Sequence, residues 1–225
     1  SKKENFKLLT LRGVFGGLTM ILLFWSYSLI PLSQAMAISF TTPLFMYLGS
    51  IIFFKEKAYK INNTAIISGF ILTIILIRPD LEVKLGVLIA LIASLTHAIA
   101  GLLVKQISKT ESVLLLMFSM VIIMAPISFF PSLYVWTTPN SFEIILLLFA
   151  IACIATIGNF LWTKALSQEA LTNLMPFEFS KLLFATIFGI LFFNEKVDLI
   201  TIFSGIGLLY LNHYLAKNII KNEKT

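Results

Sequence analysis

Two opposite charges, Glu178 and Lys181, lie three residues apart in an apolar stretch of the sequence. Residues at this spacing share one face of a helix, so a carboxylate and an ammonium would stand side by side. Each charge costs about 3 kcal/mol or more at the centre of a bilayer, so such residues usually face a cavity or a partner. The pair could bind the opposite charges of a small molecule, or it could be a structural ion pair that locks its helix. The sequence leaves both interpretations open.

Aromatic and amide side chains form a second set of candidates. Trp25, Tyr27 and Trp162 lie within apolar segments, where aromatic faces can stack on a planar base or attract a cation. Asn159 could donate a hydrogen bond to a substrate. Packing or lipid contact explains a single aromatic equally simply, and interhelical bonding explains a single amide. These residues are therefore candidate substrate contacts with a structural alternative.

Other chemistry finds little support in the sequence. It contains no cluster with metal-ligand spacing, no nucleophile triad, no phosphate loop and no dinucleotide motif. The single cysteine, Cys153, cannot form a disulfide within the chain. His97 could relay protons, but it has no evident catalytic partner in the sequence. We therefore expect neither an enzyme nor a bound cofactor or metal.

Composition defines the elements that must position these residues. Of the 225 residues, 58% are hydrophobic and 12% are charged, about half the charged fraction of a soluble domain. Lipid must therefore solvate much of the surface. Long unbroken apolar runs exclude a barrel, whose strands alternate apolar and polar residues. We expect an all-α, polytopic transmembrane helical bundle.

Eight apolar segments, lettered A to H, are each near the length that spans a hydrocarbon core of about 30 Å. They cover residues 11–30, 32–54, 61–77, 85–104, 111–133, 142–166, 170–193 and 197–216. With the amino terminus inside, 13 of the 17 Lys and Arg residues fall on the inner side and three on the outer side, leaving Lys181 within a helix. This asymmetry predicts a multi-pass membrane protein with both termini in the cytoplasm. It also explains the net charge of +6 without nucleic acid as a partner.

A short string occurs twice. Segment B closes with Phe-Phe-Lys-Glu-Lys at 53–57, and segment G closes with Phe-Phe-Asn-Glu-Lys at 192–196. Each is followed by a segment that contains Ser-Gly and is preceded by one with a mid-span tryptophan. The charge pattern places the first string inside and the second outside, so the two repeats are inverted. Inverted repeats are typical of secondary transporters, whose binding sites lie near the membrane midplane.

These strings, with Pro176-Phe177-Glu178-Phe179, resemble the EamA-domain family of the drug/metabolite transporter superfamily. The resemblance implies ten helices in two inverted five-helix repeats, of which this chain would hold the third to the tenth. Residues 1–79 would then complete the first repeat, 80–217 would form the second, and 218–225 would be a cytoplasmic tail. The family's Pro-aromatic stretch makes Phe177 a further candidate substrate contact.

The resemblance implies alternating-access transport of a small polar or zwitterionic metabolite across a bacterial inner membrane. Within the family, residues 136–143 and 192–195 are similar to members of intracellular bacteria that take up S-adenosylmethionine. Export of an amino acid or another metabolite, and a non-transporting scaffold, remain open alternatives. Expected partners are a small-molecule substrate and the lipid bilayer, with a homodimer left open. The candidate substrate-binding residues are Glu178, Lys181, Trp25, Tyr27, Asn159, Trp162 and Phe177.

Overall fold

The computed structural model describes residues 2–30, 32–77, 85–193 and 199–222, and within these ranges the chain is helical with short connections. The helices are α1 (Lys2–Leu29), α2 (Leu32–Ser39), α3 (Thr41–Phe54), α4 (Lys60–Ile77), α5 (Leu85–Ile107), α6 (Val113–Val135), α7 (Phe142–Gln168), α8 (Leu171–Leu174), α9 (Ser180–Phe193) and α10 (Leu199–Asn222). A 3-10 helix, Met175–Phe179, joins α8 to α9. This confirms the all-α fold, and each of the eight predicted segments corresponds to helix.

Five stretches of the described residues are long and apolar enough to cross a membrane. They are Glu4–Leu29, Gln34–Phe54, Leu85–Ile107, Val113–Tyr134 and Phe142–Gln168. Large apolar side chains stay exposed along α7, including Phe149 at 68% and Ile154 at 70%. Water would make such a surface costly, whereas hydrocarbon solvates it well. The protein is therefore a multi-pass membrane protein.

The chain divides into two compact units. The first comprises residues 1–21 and 99–169, which hold the start of α1, the end of α5, and α6 and α7. A Cβ atom at Gly13 would lie 2.6 Å from the Cβ of Ile123, so α1 and α6 approach closely there. Arg12 is buried within α1, and its guanidinium donates to the carbonyl of Leu116.

The second unit comprises residues 22–98 and 170–225, with the remaining helices. Helix α4 packs along α10 and against the 3-10 helix. Gly207 allows α10 to approach α4 closely, since a Cβ at this position would lie 3.2 Å from Leu72. A buried cluster of Ile30, Ala35, Ile38 and Ala90 packs α2 against α5. This unit contains both segments that carry the repeated string.

Both repeat-related segments, B and G, are interrupted helices rather than continuous ones. Segment B breaks at Phe40, between α2 and α3, and segment G breaks through Met175–Phe179. Phe40 and Phe179 each lie 13 residues before the first Phe of their strings. Their buried rings stack with centroids 5.9 Å apart. The interruptions therefore occupy matched positions relative to the two strings and contact each other.

Candidate functional site

The predicted charge pair forms. Lys181 Nζ contacts Glu178 Oε2, with 62% of the lysine side chain and 18% of the glutamate side chain exposed. Glu178 belongs to the 3-10 helix and Lys181 to the first turn of α9. A carboxylate and an ammonium therefore lie adjacent at the interruption of segment G. Such a pair can neutralise itself or can separate to bind a carboxylate and an ammonium of a substrate.

The local sequence explains why the helix changes its winding here. Pro176 has no backbone N–H, so it cannot supply an i to i−4 hydrogen bond. The chain takes the tighter 3-10 form over five residues, with Pro176 and Phe179 buried. The hydroxyl of Ser180 donates to the carbonyl of Phe177 at 2.6 Å, which satisfies one carbonyl at the transition. Short 3-10 segments inside helices often mark functional hinges.

Phe177 lies at this interruption and is half-buried, whereas its neighbour Phe179 is fully buried. Phe179 packs on Phe40 and against Gly69 of α4, where a Cβ would lie only 2.4 Å from the Phe179 ring. Phe179 thus anchors the 3-10 helix in the protein interior. The ring of Phe177 stays partly accessible, and its contact with a substrate remains a prediction.

His97 of α5 lies within electrostatic range of both Lys181 and Glu178. Sequence reasoning did not predict this proximity, because hydrophobic periodicity does not show which side chains about 80 residues apart become neighbours.

Trp25 and Tyr27 lie near the end of α1 and differ in their surroundings. Trp25 is 51% exposed, whereas Tyr27 packs against the cluster that contains Ile30. Residues two apart on an α-helix point to nearly opposite sides. Tyr27 also meets Phe24 edge-on, with ring centroids 5.8 Å apart. Only one of the two aromatics can face a given cavity, and the assignment of both to substrate stays a prediction.

Asn159 and Trp162 belong to the first unit, on α7. They are three residues apart, so they share a face, and both are half-buried. The Asn159 amide lies 3.5 Å from the sulfur of Met120 on α6. A thioether is a weak acceptor, so this amide keeps most of its capacity to bond to another group.

Two buried polar groups of the second unit have no hydrogen-bond partner among the described residues. They are the Gln34 amide nitrogen on α2 and the Thr73 hydroxyl on α4. Gln34 is 2% exposed and Thr73 is fully buried. Buried polar groups are normally paired, so both lower the stability of this arrangement.

Comparison with known proteins agrees with this architecture. A family model described as the EamA-like transporter family matches residues 84–211. One solved crystal structure superposes with a TM-score of 0.75 over 97% of this chain and 77% of the other, at 12% identity. At that identity the likeness shows the fold alone.

Three curated relatives are named as transporters. The S-adenosylmethionine uptake transporter of Rickettsia bellii (strain RML369-C) is 28% identical over 204 residues, 88% of this chain and 68% of that protein. The riboflavin transporter of Vibrio cholerae is 26% identical over 76% of this chain and 58% of its own length. A pseudopaline exporter of Pseudomonas aeruginosa is 23% identical over 91% of this chain and 72% of its own length.

Proposed function

Because the chain belongs to the EamA-like transporter family, we propose that it carries S-adenosylmethionine into a bacterial cell by secondary transport. Four relatives from Rickettsia species, at 26–28% identity, are named S-adenosylmethionine uptake transporters. The observation that supports this cargo most strongly is the contact between Glu178 and Lys181 at the interrupted helix. The substrate's amino-acid end is a zwitterion, with one ammonium and one carboxylate.

The proposed binding mode matches these charges one to one. Glu178 accepts hydrogen bonds from the substrate ammonium, and Lys181 donates to its carboxylate. Phe177 and Trp25 provide aromatic faces for the adenine ring or the sulfonium cation. Binding thus replaces the internal ion pair with two ion pairs to the substrate.

The pair also explains how an empty carrier could reorient. Isolated charges are costly at membrane depth, but the two side chains neutralise each other when the site is empty. Alternating access requires that both the empty and the loaded site can change orientation, and that substrate binds both states comparably. In the empty site the two side chains neutralise each other, and in the loaded site the zwitterion neutralises both. The requirement is therefore met in both states.

Uptake of labelled S-adenosylmethionine by proteoliposomes containing the full-length protein tests the proposal. We expect saturable uptake that unlabelled S-adenosylmethionine inhibits and that riboflavin does not. Methionine shares the zwitterion but lacks the adenosine, so it should compete weakly. Absence of uptake and of exchange by active, correctly folded protein would refute this cargo.

Export of an amino-acid-like metabolite is the second candidate, favoured by the similarity to the pseudopaline exporter. The same charge pair would bind any zwitterion, so the site alone does not determine whether the substrate is imported or exported. Proteoliposomes preloaded with labelled metabolite distinguish the two, because an exporter would release the label on the side that corresponds to the cell exterior.

We further propose that both termini are cytoplasmic, as the charge asymmetry predicts. Asn140 and Lys57 are both exposed and lie in connections on opposite sides of the proposed membrane. With Cys153 replaced by alanine, a cysteine at Asn140 should react with an impermeant thiol reagent added to intact cells. A cysteine at Lys57 should react only after the membrane is opened. The reverse pattern would overturn this orientation.

A further inference from the structure

The glutamate of the first repeated string, Glu56, contacts backbone 115 residues further along the chain. Its Oε1 accepts a hydrogen bond from the N–H of Leu171 at 3.2 Å, and its Oε2 accepts one from the N–H of Thr172 at 2.9 Å. These amides belong to the first turn of α8, whose N-cap residue, Ala170, forms no side-chain cap. The first four N–H groups of a helix have no acceptor within that helix, and its amino end favours negative charge. Glu56 therefore supplies from a distance the cap that the local sequence lacks.

The chain conformation before Glu56 is specialised for this contact. Lys55 ends α3 in the left-handed region, with φ 53° and ψ 34°, and is the one non-glycine residue with positive φ in the described chain. An L-residue adopts this conformation at a cost, so it persists where surrounding contacts stabilise it. The turn ends α3 immediately before Glu56.

A second hydrogen bond joins the same regions. The amide nitrogen of Asn62, near the start of α4, donates to the side-chain oxygen of Asn173 in α8 at 2.9 Å. Asn62 is only 2% exposed, so water competes little with this bond. Residues from the α3–α4 region of the first repeat thus hold α8 of the second repeat at two points. We refer to these contacts of Glu56 and Asn62 as the α8 clamp.

The clamped segment leads directly to the candidate site. Helix α8 continues without a gap through Met175–Phe179 into α9, and this stretch carries Glu178 and Lys181. We infer that Glu56 is a positioning residue for transport: by capping α8 it fixes the interrupted helix, and its release lets that helix move during the carrier cycle. This inference rests on the proposed transport function. The proposed topology puts the α8 clamp on the cytoplasmic side of the charge pair.

A reporter cysteine tests this inference without any substrate. In the full-length protein, Cys153 is replaced by alanine and Ser180, which is half-buried at the start of α9, by cysteine. Inside-out vesicles expose the cytoplasmic face to an impermeant thiol reagent. Glu56→Gln removes the charge and one of the two acceptor oxygens, so we expect the labelling rate to rise about tenfold. Glu56→Asp keeps the charge and both oxygens, so its rate should return toward that of the parent.

The matched control is Glu111→Gln. Glu111 is also a partly buried carboxylate that accepts a short side-chain hydrogen bond, from Asn5 at 2.6 Å, and it belongs to the first compact unit rather than to the unit that contains α8. It should leave the labelling rate unchanged. Asn62→Ala removes only the second contact of the clamp and should raise the rate by a smaller factor, about threefold. It decides the matter if Glu56→Gln does not fold.

Equal labelling of the parent and the folded Glu56→Gln variant would overturn the inference, as would an equal rise in Glu111→Gln. The result is separable from the identity of the cargo. Faster labelling in Glu56→Gln with no S-adenosylmethionine uptake by the parent would uphold the clamp and refute the proposed substrate. Unchanged labelling in Glu56→Gln with normal uptake by the parent would refute the clamp and uphold the proposed substrate.

Discussion

The two interrupted helices share a position but differ in chemistry. Counted back from the repeated strings, Ser39 of the first repeat corresponds to Glu178 of the second, and Thr42 corresponds to Lys181. Ser39 donates to a carbonyl of its own helix at 2.7 Å, and Thr42 donates to the Ser94 carbonyl at 3.3 Å. In the second repeat the two side chains are charged and paired with each other. The interruption is therefore a common property of the repeats, whereas the charge pair occurs at only one of them.

Packing around the interruptions differs as well. Gly69 and Gly205 are the glycines of the two Ser-Gly dipeptides, one in each segment that follows a repeated string. A Cβ at Gly69 would lie 2.4 Å from the Phe179 ring, while one at Gly205 would lie 3.7 Å from its nearest neighbour, Leu183. The first repeat thus packs tightly on the interruption of the second. We interpret the first repeat as the support and the second as the site, and the following predictions test that distinction.

The largest expected effect is on transport. Lys181→Ala or Glu178→Ala should lower uptake about 100-fold or more, because each variant removes a proposed substrate contact and one partner of the ion pair. Ser39→Ala and Thr42→Ala at the matched positions remove only neutral hydrogen bonds, so we expect less than about a fivefold change. Initial uptake rates at equal amounts of folded protein measure both. Parental rates in either charge-deleting variant would remove the pair from the site.

Stability should separate the two glycines. Gly69→Ala forces the Phe179 ring or α4 to shift, so the free energy of unfolding should fall by about 1–3 kcal/mol. Gly205→Ala meets ordinary van der Waals distances and should change it by about 0.5 kcal/mol or less. Thermal unfolding in detergent compares them. Equal shifts in Tm would contradict the asymmetric packing.

A smaller effect is expected one turn further along α4. Thr73→Val replaces a buried, unpaired hydroxyl with a methyl group, so the protein should gain about 1 kcal/mol of stability. Thr96→Val is the control, because Thr96 is also buried but its hydroxyl donates to the Ala93 carbonyl at 2.8 Å. It should give no such gain. A loss of stability in Thr73→Val would show that its hydroxyl is satisfied in the membrane.

The sequence was sufficient to predict the helices, because the length of an apolar run determines whether it can span a bilayer. It was also sufficient for the Glu178–Lys181 contact, since spacing along a helix is a local property. The break at Phe40 could not be located from the sequence, because the nearest helix-breaking residue, Pro43, lies three positions later and inside α3.

The features of the structure that the sequence did not predict are contacts between segments far apart in the chain. In the sequence, Glu56 is recognised only as part of a repeated string. In the structure it caps a helix 115 residues away. Arg12 is one of the basic residues on the predicted inner side, and the sequence does not show that its guanidinium binds a carbonyl of α6. Each contact depends on how helices pack, and hydrophobic periodicity carries no information about which helices become neighbours.

The central claim is that Glu178 and Lys181 bind the substrate and do not only stabilise their helix. The double variant Glu178→Lys, Lys181→Glu tests it most directly, because it keeps the ion pair and exchanges the positions of its charges. Unfolding temperature and S-adenosylmethionine uptake should be measured on the same preparation. We predict a Tm close to that of the parent protein, with uptake still about 100-fold lower. Recovery of both stability and uptake would contradict the claim and show the pair to be structural.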